Sequence, residues 1–161
     1  MVRDREGEQA AATRPGPRGA RLLAGDRGEA LARAFLERAG AVVVAQNWRA
    51  RPTVDGVRGE LDLVVVLDGV AVGVEVKARS STAYGHPLES IDRRRLDRLH
   101  RLLAAWARRQ GLERMPRRID AVAILPAPSG RGTGSTPSGP GTGPGSSTVG
   151  RVRIEHRRGL I

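Results

Sequence analysis

Residues 60–77 read ELDLVVVLDGVAVGVEVK, and this stretch decides the fold. Two runs rich in β-branched residues stand on either side of Asp68-Gly69, a two-residue sequence typical of the turn in a β-hairpin. A two-residue turn pairs Leu67 with Val70, and every further pair follows by counting outward from the turn. The sequence therefore predicts two antiparallel strands with a defined register.

Counting outward places four charged side chains at the end of the hairpin away from the turn. Asp62 is expected opposite Glu75. Glu60 is expected opposite Lys77, and the alternation of side chains along a strand puts both pairs on one face. The other face is apolar throughout and is predicted to be core; it holds Leu61, Leu63, Val65, Leu67, Val70, Val72, Val74 and Val76. The remaining positions on the charged face are apolar or glycine, so we expect the four charges to be partly buried.

Two facing carboxylates require a nearby cation. With Cβ atoms about 5 Å apart they would repel by roughly 3 kcal/mol at an effective dielectric constant of about 20. Lys77 is one candidate, and Mg²⁺ is another because it binds one or two carboxylates together with water and phosphate oxygens. The alternative is an ordinary edge hairpin with solvated acids and a Glu60 to Lys77 pair. A three-residue turn would separate Asp62 from Glu75, so the prediction depends on the turn.

The charge of the chain favours a polyanionic partner. The 28 basic and 17 acidic side chains give a net charge of +11, which favours nucleic acid over acidic small molecules. Lys77 is the one lysine among the basic residues and the other 27 are arginine. A coding bias towards GC-rich codons explains this composition equally well as a chemical need for lysine at that position.

The composition also excludes several classes of protein. Without cysteine the chain has no disulfide framework and no zinc–thiolate site. With only 2% aromatic residues it lacks the stacking platform of a typical single-strand binder. No apolar run has the length of a signal peptide or a membrane span. We therefore expect a cytoplasmic protein that makes no contact with membranes.

Two segments are predicted to lie outside the folded core. Residues 1–25 show no apolar period, which predicts a disordered basic arm. In the range 126–148, 21 of 23 residues are Gly, Pro, Ser or Thr, which predicts a flexible loop. The loop interrupts a single domain predicted at 26–161.

Hydrophobic periodicity predicts the remaining elements. A helix begins at Asp26, where Asp26 and Glu29 form a capping box, and ends at Gly40. A second helix spans 87–110 and carries a basic flank. Strands are predicted at 42–49, 60–67, 70–77, 119–125 and 149–154. The order α-β-β-β-α-β-β predicts an α/β fold with a mixed sheet flanked by helices.

The motifs of the hairpin resemble a known family. The segments Gly59-Glu60-Leu61-Asp62-Leu63 and Val74-Glu75-Val76-Lys77-Ala78-Arg79 are similar to the Asp…Glu-x-Lys signature of the PD-(D/E)xK nuclease superfamily, and the resemblance is closer still to the YraN-like family of bacterial proteins. Further matching motifs are Gly28-Glu29, Asn47-Trp48-Arg49, Tyr84-Gly85-His86-Pro87, Arg118-Ile119-Asp120 and Ile154-Glu155-His156.

The resemblance implies a restriction-endonuclease-like fold related to archaeal Holliday junction resolvases. It implies that Asp62 and Glu75 bind Mg²⁺ or Mn²⁺ and that Lys77 assists the attacking water or the leaving charge. Glu29 matches a helix carboxylate that approaches the same site in the resolvases, although the capping box explains this residue equally well. Glu60 is a further carboxylate of the site or the partner of Lys77.

The expected function is nucleic-acid binding, with a metal-dependent DNA endonuclease or resolvase-like phosphodiesterase as the leading hypothesis. Arg49, Arg79, Arg93 and Arg94 are the candidate contacts to phosphates. The resemblance also allows a homodimer, because resolvase relatives act as symmetric pairs. The alternatives are a nucleic-acid-binding protein without useful catalysis and a basic adaptor for an acidic protein. His86 and His156 are interpreted as surface residues, with phosphate or metal contact as the other option.

Overall fold

Six strands and three α-helices make up the described part of the chain, which in this computed structural model comprises residues 17–79, 86–127, 145–149 and 152–161. In chain order the elements are α1 (Pro17–Arg38), β1 (Val42–Arg49), α2 (Pro52–Asp55), β2 (Glu60–Leu67), β3 (Val70–Ala78), a 3-10 helix (Pro87–Ser90), α3 (Arg93–Arg109), β4 (Arg117–Pro126), β5 (Gly145–Val149) and β6 (Val152–Arg157).

The strands form one mixed sheet in the order β1-β2-β3-β4-β6-β5. The β3–β4 pair is parallel and the other four pairs are antiparallel. A parallel pair needs a crossover connection, and α3 lies in the connection between β3 and β4. The mixed sheet flanked by helices confirms the predicted restriction-endonuclease-like α/β fold.

The β2–β3 hairpin has the predicted two-residue turn. Leu67 pairs with Val70, and the register continues to Leu63 opposite Val74. Asp68 and Gly69 have φ angles of +53° and +75°, the pair of positive values that a type I′ turn requires. The turn on which the site prediction depends is therefore confirmed.

Helices α1 and α3 cover opposite faces of the sheet. Ala32 and Leu36 of α1 pack in one buried cluster with Leu63, Val65 and Val74. A second buried cluster joins α3 to the alternate strand positions: Val64, Ala71, Leu99, Leu103, Trp106 and Ile119. Each face thus buries its own apolar layer, which fixes the hairpin between the two helices.

One residue of the predicted apolar face lies elsewhere. Leu61 packs in the cluster of α3, whereas Leu63 packs in the cluster of α1. The prediction that both share one face was therefore wrong. The neighbouring strand β1 is irregular here, because Asn47, between the partners of Leu63 and Leu61, has a φ angle of +48°. Such irregularities disturb the strict alternation on which the prediction relied.

Helix α1 begins earlier than predicted. It starts at Pro17, so residues 17–25 are helical rather than part of a disordered arm, and Asp26 lies inside the helix where it does not act as an N-cap. Proline is well accommodated in the first turn of a helix, and the alanines and leucines that follow favour helix. The rest of the predicted arm, residues 1–16, lies outside the described residues.

The predicted second helix and last strand are each divided. A short 3-10 helix precedes α3, because Asp92 adopts an extended backbone and caps α3 by accepting from the Arg95 N–H at 2.7 Å. The predicted strand at 149–154 is two paired strands, β5 and β6. Residues 145–148 therefore belong to a strand rather than to the predicted flexible loop. Backbone pairing with β6 compensates for their poor composition, and 128–144 lie outside the described residues.

Candidate active site

The two predicted acids, Asp62 and Glu75, meet at the end of the hairpin away from the turn. The Val76 N–H donates to Asp62 Oδ2 at 2.7 Å, so the Asp62 side chain is held against β3. Glu75 is fully buried at 0% exposure. The structure therefore brings a partly buried and a fully buried carboxyl group together at one place on adjacent strands.

The pKa of Asp62 reflects the burial of its carboxyl group and the negative charge around it. Burial, and to a smaller extent the neighbouring carboxylates of Glu75 and Glu29, raise the pKa of Asp62 from 3.8 to about 6. The Val76 N–H and the Lys77 ammonium act in the opposite direction but do not compensate. Without additional positive charge, Asp62 therefore holds its proton to a higher pH than an exposed aspartate does.

Glu75 has two cationic neighbours on one of its oxygens. Lys77 Nζ and Arg95 Nη2 both lie 2.5 Å from Glu75 Oε1. The other oxygen, Oε2, is buried and has no hydrogen-bond partner. A buried carboxylate oxygen without a partner is costly, and such groups are frequent where a protein binds a ligand or ion.

Glu29 reaches the site from α1. Its Oε2 accepts a hydrogen bond from Asn47 Nδ2 at 3.0 Å, and its charge acts on Asp62. The preceding Gly28 allows the approach, because a Cβ at this position would lie 2.8 Å from the Cβ of Ala78 on β3. With Asp26 inside the helix, the capping-box interpretation of Glu29 is wrong, and the site interpretation agrees with its position.

Glu60 is not part of this site. It pairs with Arg49 across β1 and β2, with Arg49 Nε 2.9 Å from Glu60 Oε2, and both side chains are exposed. The expected pairing of Glu60 with Lys77 was therefore wrong. Lys77 instead contacts Glu75 on its own strand, two residues away.

Arg95 and Asn47 are site residues that the sequence analysis missed. Arg93 and Arg94, the predicted phosphate contacts, are exposed, while the third consecutive arginine turns inward to Glu75. Leu99 and Leu102 are buried and follow Arg95 by four and seven residues, the spacing of one helix face, so this spacing is the signal that could have found Arg95. Asn47 lies in the Asn47-Trp48-Arg49 family motif, but no pattern in the sequence predicts its contact with Glu29.

A basic surface adjoins the site. Arg94, Arg95, Arg98 and Arg101 line an open depression of about 430 Å³ together with Ser90 and Asp92. The predicted phosphate contacts Arg79, Arg93 and Arg94 are exposed, and Arg49 is exposed while paired with Glu60. Four guanidinium groups around one depression make a strongly positive surface beside Glu75.

The two candidate histidines are engaged within the fold. His156 is buried, its Nε2 lies 3.0 Å from Asp120 Oδ2, and its ring meets Phe35 edge-on. His86 lies 2.7 Å from Glu155 through Nε2 and accepts from the Leu88 N–H at 3.3 Å through Nδ1. The interpretation of both as surface residues was wrong for His156, which is core.

The acids fit a magnesium ion held partly by substrate. Within the described ranges no group of three or more His, Cys, Asp or Glu side chains is placed to hold a metal. Mg²⁺ usually binds through one or two carboxylates and keeps several water molecules or phosphate oxygens. Asp62, with a pKa raised by burial and by neighbouring carboxylates, and Glu75, with an unpartnered oxygen, match that requirement.

The fold and the grouped acids define an α/β protein of the restriction-endonuclease-like class. A family model described as "Uncharacterised protein family UPF0102" matches residues 28–124, a range that contains the acids, Lys77 and Arg95 of the candidate site. The chain belongs to this family, also called the YraN family.

Several relatives resemble the chain over most of their length. A UPF0102 protein of Arthrobacter sp. (strain FB24) is 44% identical over 142 residues, which are 88% of this chain and 98% of the relative. A UPF0102 protein of Paenarthrobacter aurescens is 43% identical over 106 residues, which are 66% of this chain and 83% of the relative. Among the described residues, no helix is both long enough and apolar enough to cross a membrane.

Proposed function

We propose that this protein binds nucleic acid and hydrolyses phosphodiester bonds with a divalent metal, as a DNA endonuclease or a resolvase-like phosphodiesterase. The observation that carries the proposal is the grouping of Glu29, Asp62, Glu75 and Lys77, which come from a helix and two strands. A protein that only binds nucleic acid has no need to place acids together beside an arginine-rich surface, because acids repel phosphate.

Asp62 and Glu75 are the residues that would hold Mg²⁺ or Mn²⁺. When bound, the metal supplies a water of lowered pKa and stabilises charge on the phosphodiester. Glu75 presents its unpartnered Oε2, and Asp62 is oriented by the Val76 N–H. Glu29, fixed by Asn47, adds negative charge that favours a cation at Asp62.

Lys77 is the residue proposed to act on the water or the phosphate. Its ammonium lies on Glu75 while 29% of its side chain is exposed, so the group is anchored and still accessible. An ammonium is a compact charge with three donors, which suits contact with one water and one phosphate oxygen. Lys77 therefore orients the attacking water or stabilises the leaving charge.

The arginines around the depression are proposed to contact the phosphate backbone. Their positive charge would fix the position of a duplex or a branched DNA without reading its sequence. The affinity should then fall steeply as salt rises, because binding releases counterions from the DNA.

A panel of linear, flapped and four-way DNA substrates, each incubated with Mg²⁺, Mn²⁺ or a chelator, tests the proposal. Cleavage is expected with metal and is expected to be lost in Asp62→Asn and Glu75→Gln, while DNA affinity is retained. Glu60→Gln is the matched control, because it removes an exposed acid from the same hairpin and should cleave like the wild type. Cleavage that persists in chelator would contradict the metal mechanism.

One observation favours a second candidate, a nucleic-acid-binding protein that keeps this fold without catalysis. The Arg95 guanidinium already neutralises Glu75, as would be expected of a carboxylate that has become part of a structural ion pair. DNA affinity without cleavage of any substrate in Mg²⁺ or Mn²⁺ would support this candidate.

A further inference from the structure

The two cations on Glu75 differ in where they come from. Lys77 lies on the same strand as Glu75, two residues further along, so its position is fixed by β3. Arg95 comes from the first turn of α3 and crosses to the sheet to reach the same oxygen, Oε1. The backbone of Lys77 is therefore held beside Glu75 by β3, whereas Arg95 reaches Glu75 only through its long side chain from another element.

The surroundings of Arg95 leave the contact incomplete. Its Nε is buried and has no hydrogen-bond partner, and Glu75 Oε2 also has none. The Arg95 side chain is 31% exposed and lines the depression shared with Arg94, Arg98 and Arg101. The guanidinium thus lies between the buried acid and an open, solvent-accessible surface.

We propose that Arg95 and a divalent metal are alternative partners of Glu75, so that Arg95 limits metal binding until its side chain leaves the acid. The inference rests on the proposed metal centre. A divalent ion beside Glu75 would place two further positive charges close to the guanidinium, and like charges at this range in a partly buried site repel strongly. Arg95 is accordingly a positioning residue that acts through Glu75.

The arginine-lined depression offers the Arg95 side chain a second position, away from Glu75. In the free protein the other arginines repel it, which favours the contact with Glu75. A backbone phosphate in the depression would provide the compensating negative charge. Nucleic acid would therefore release Glu75 for the metal by attracting Arg95.

Mn²⁺ affinity in the absence of nucleic acid tests the competition. Isothermal titration calorimetry measures the Mn²⁺ affinity of the wild type, Arg95→Gln and Arg94→Gln. Arg94→Gln is the matched control, because it removes the same charge from the adjacent exposed position. We expect Arg95→Gln to bind Mn²⁺ at least tenfold more tightly than the wild type and Arg94→Gln to stay within about twofold, since general electrostatic effects of losing one charge are small in salt.

Two further variants keep the outcome unambiguous. If Arg95→Gln fails to fold in chelator, Arg95→Lys takes its place, since it keeps the charge with less reach and should still bind Mn²⁺ more tightly than the wild type. Glu75→Gln in the Arg95→Gln background should remove the gain in affinity. Equal Mn²⁺ affinity of Arg95→Gln and Arg94→Gln would overturn the proposed competition between Arg95 and the metal but would leave the proposed metal centre standing. Absence of Mn²⁺ binding by both the wild type and Arg95→Gln would overturn the proposed metal centre as well.

Discussion

Two buried carboxyl groups, Asp120 and Glu75, lie on opposite faces of the same sheet and differ in how fully their oxygens are hydrogen-bonded. Asp120 lies beside His156, which contacts Phe35 of α1, whereas Glu75 contacts Arg95 of α3. Both oxygens of Asp120 are satisfied: Arg118 and the Gly159 N–H donate to Oδ1, and Arg118 and His156 contact Oδ2. Glu75 has one crowded oxygen and one without a partner.

The difference separates a structural cluster from the candidate metal site. Burial raises the pKa of Asp120, but hydrogen bonds from His156, Arg118 and the Gly159 N–H outweigh it, so that the pKa lies below its ordinary value. At Asp62, beside Glu75, burial and the neighbouring acids raise the pKa to about 6. A satisfied network stabilises the fold, whereas a buried carboxyl group beside other acids, such as Asp62, lowers its stability when charged and favours a cation.

The largest expected effect is on stability, through loss of the fully hydrogen-bonded carboxylate of Asp120. Asp120→Asn should lower the free energy of unfolding by about 3 kcal/mol at pH 7, because it leaves Arg118 and His156 without their buried partner. The pKa of Asp120 is lowered in the folded state, so its contribution is present above the ordinary value of 3.8 and is lost as the pH falls through the folded-state pKa. Urea unfolding at several pH values measures both effects.

A variant that costs less than about 0.5 kcal/mol at pH 7 would show that the cluster does not stabilise the fold. Asp68→Asn in the β2–β3 turn is a suitable control, because Asp68 is exposed and because asparagine, like aspartate, tolerates the positive φ of this position.

The second prediction has the opposite sign. Asp62→Asn should raise the free energy of unfolding by about 2 kcal/mol at pH 8 in chelator. The pKa of Asp62 rises from 3.8 to about 6 on folding, so the charged form costs stability increasingly as the pH rises through that window, and asparagine removes this cost. The gain should vanish below pH 3.8.

Mg²⁺ sharpens this prediction, because a bound cation compensates the charge in the wild type and should shrink the gap between the two proteins. Unfolding curves at pH 8 with and without Mg²⁺ measure this. A destabilised Asp62→Asn at pH 8 would place Asp62 with Asp120 among the structural acids.

The sequence predicted the hairpin and its acids because both depend on local rules. Asp68-Gly69 fixed the turn, and counting from it brought Asp62 and Glu75 together. The two carboxyl clusters could not be told apart in this way, because the partners of Asp120 come from the distant end of the chain. The predicted exposure of His156 failed for this reason.

Other errors came from phase and from tertiary packing. Arg95 shares a helix face with the buried Leu99 and Leu102, but which acid that face meets depends on how α3 packs on the sheet. The change of side between Leu61 and Leu63 occurs beside an irregular stretch of β1, which periodicity within β2 does not reveal. Patterns within one element predicted that element, whereas the contacts between elements required the structure.

The third prediction compares the cations of the two clusters. Arg118 holds Asp120 with two nitrogens, as a planar fork, whereas Lys77 places one ammonium on Glu75. Lys77→Arg should leave the fold and DNA affinity nearly unchanged and lower single-turnover cleavage by about tenfold, or about 1.4 kcal/mol of barrier, because the guanidinium does not fit beside one water and one phosphate oxygen.

Arg38→Lys, an exchange of cation at an exposed position in the last turn of α1, is the control and should change no rate. Equal single-turnover rates for Lys77→Arg and the wild type would show that the lone lysine reflects coding bias rather than chemistry.

The smallest expected effect concerns the surfaces of the two faces. Arg94 on the α3 face is exposed in the depression, whereas Arg33 on α1 is half exposed and paired with Glu37 at 2.9 Å. If the α3 face binds the phosphate backbone, Arg94→Gln should lower the slope of log affinity against log salt by about 1, and Arg33→Gln should leave the slope unchanged although it removes the same charge. Fluorescence anisotropy with a duplex at several salt concentrations measures both slopes. Equal decreases would mean that DNA is attracted by the net charge of +11 over the whole surface, and that the difference between the two faces ends at the buried acids.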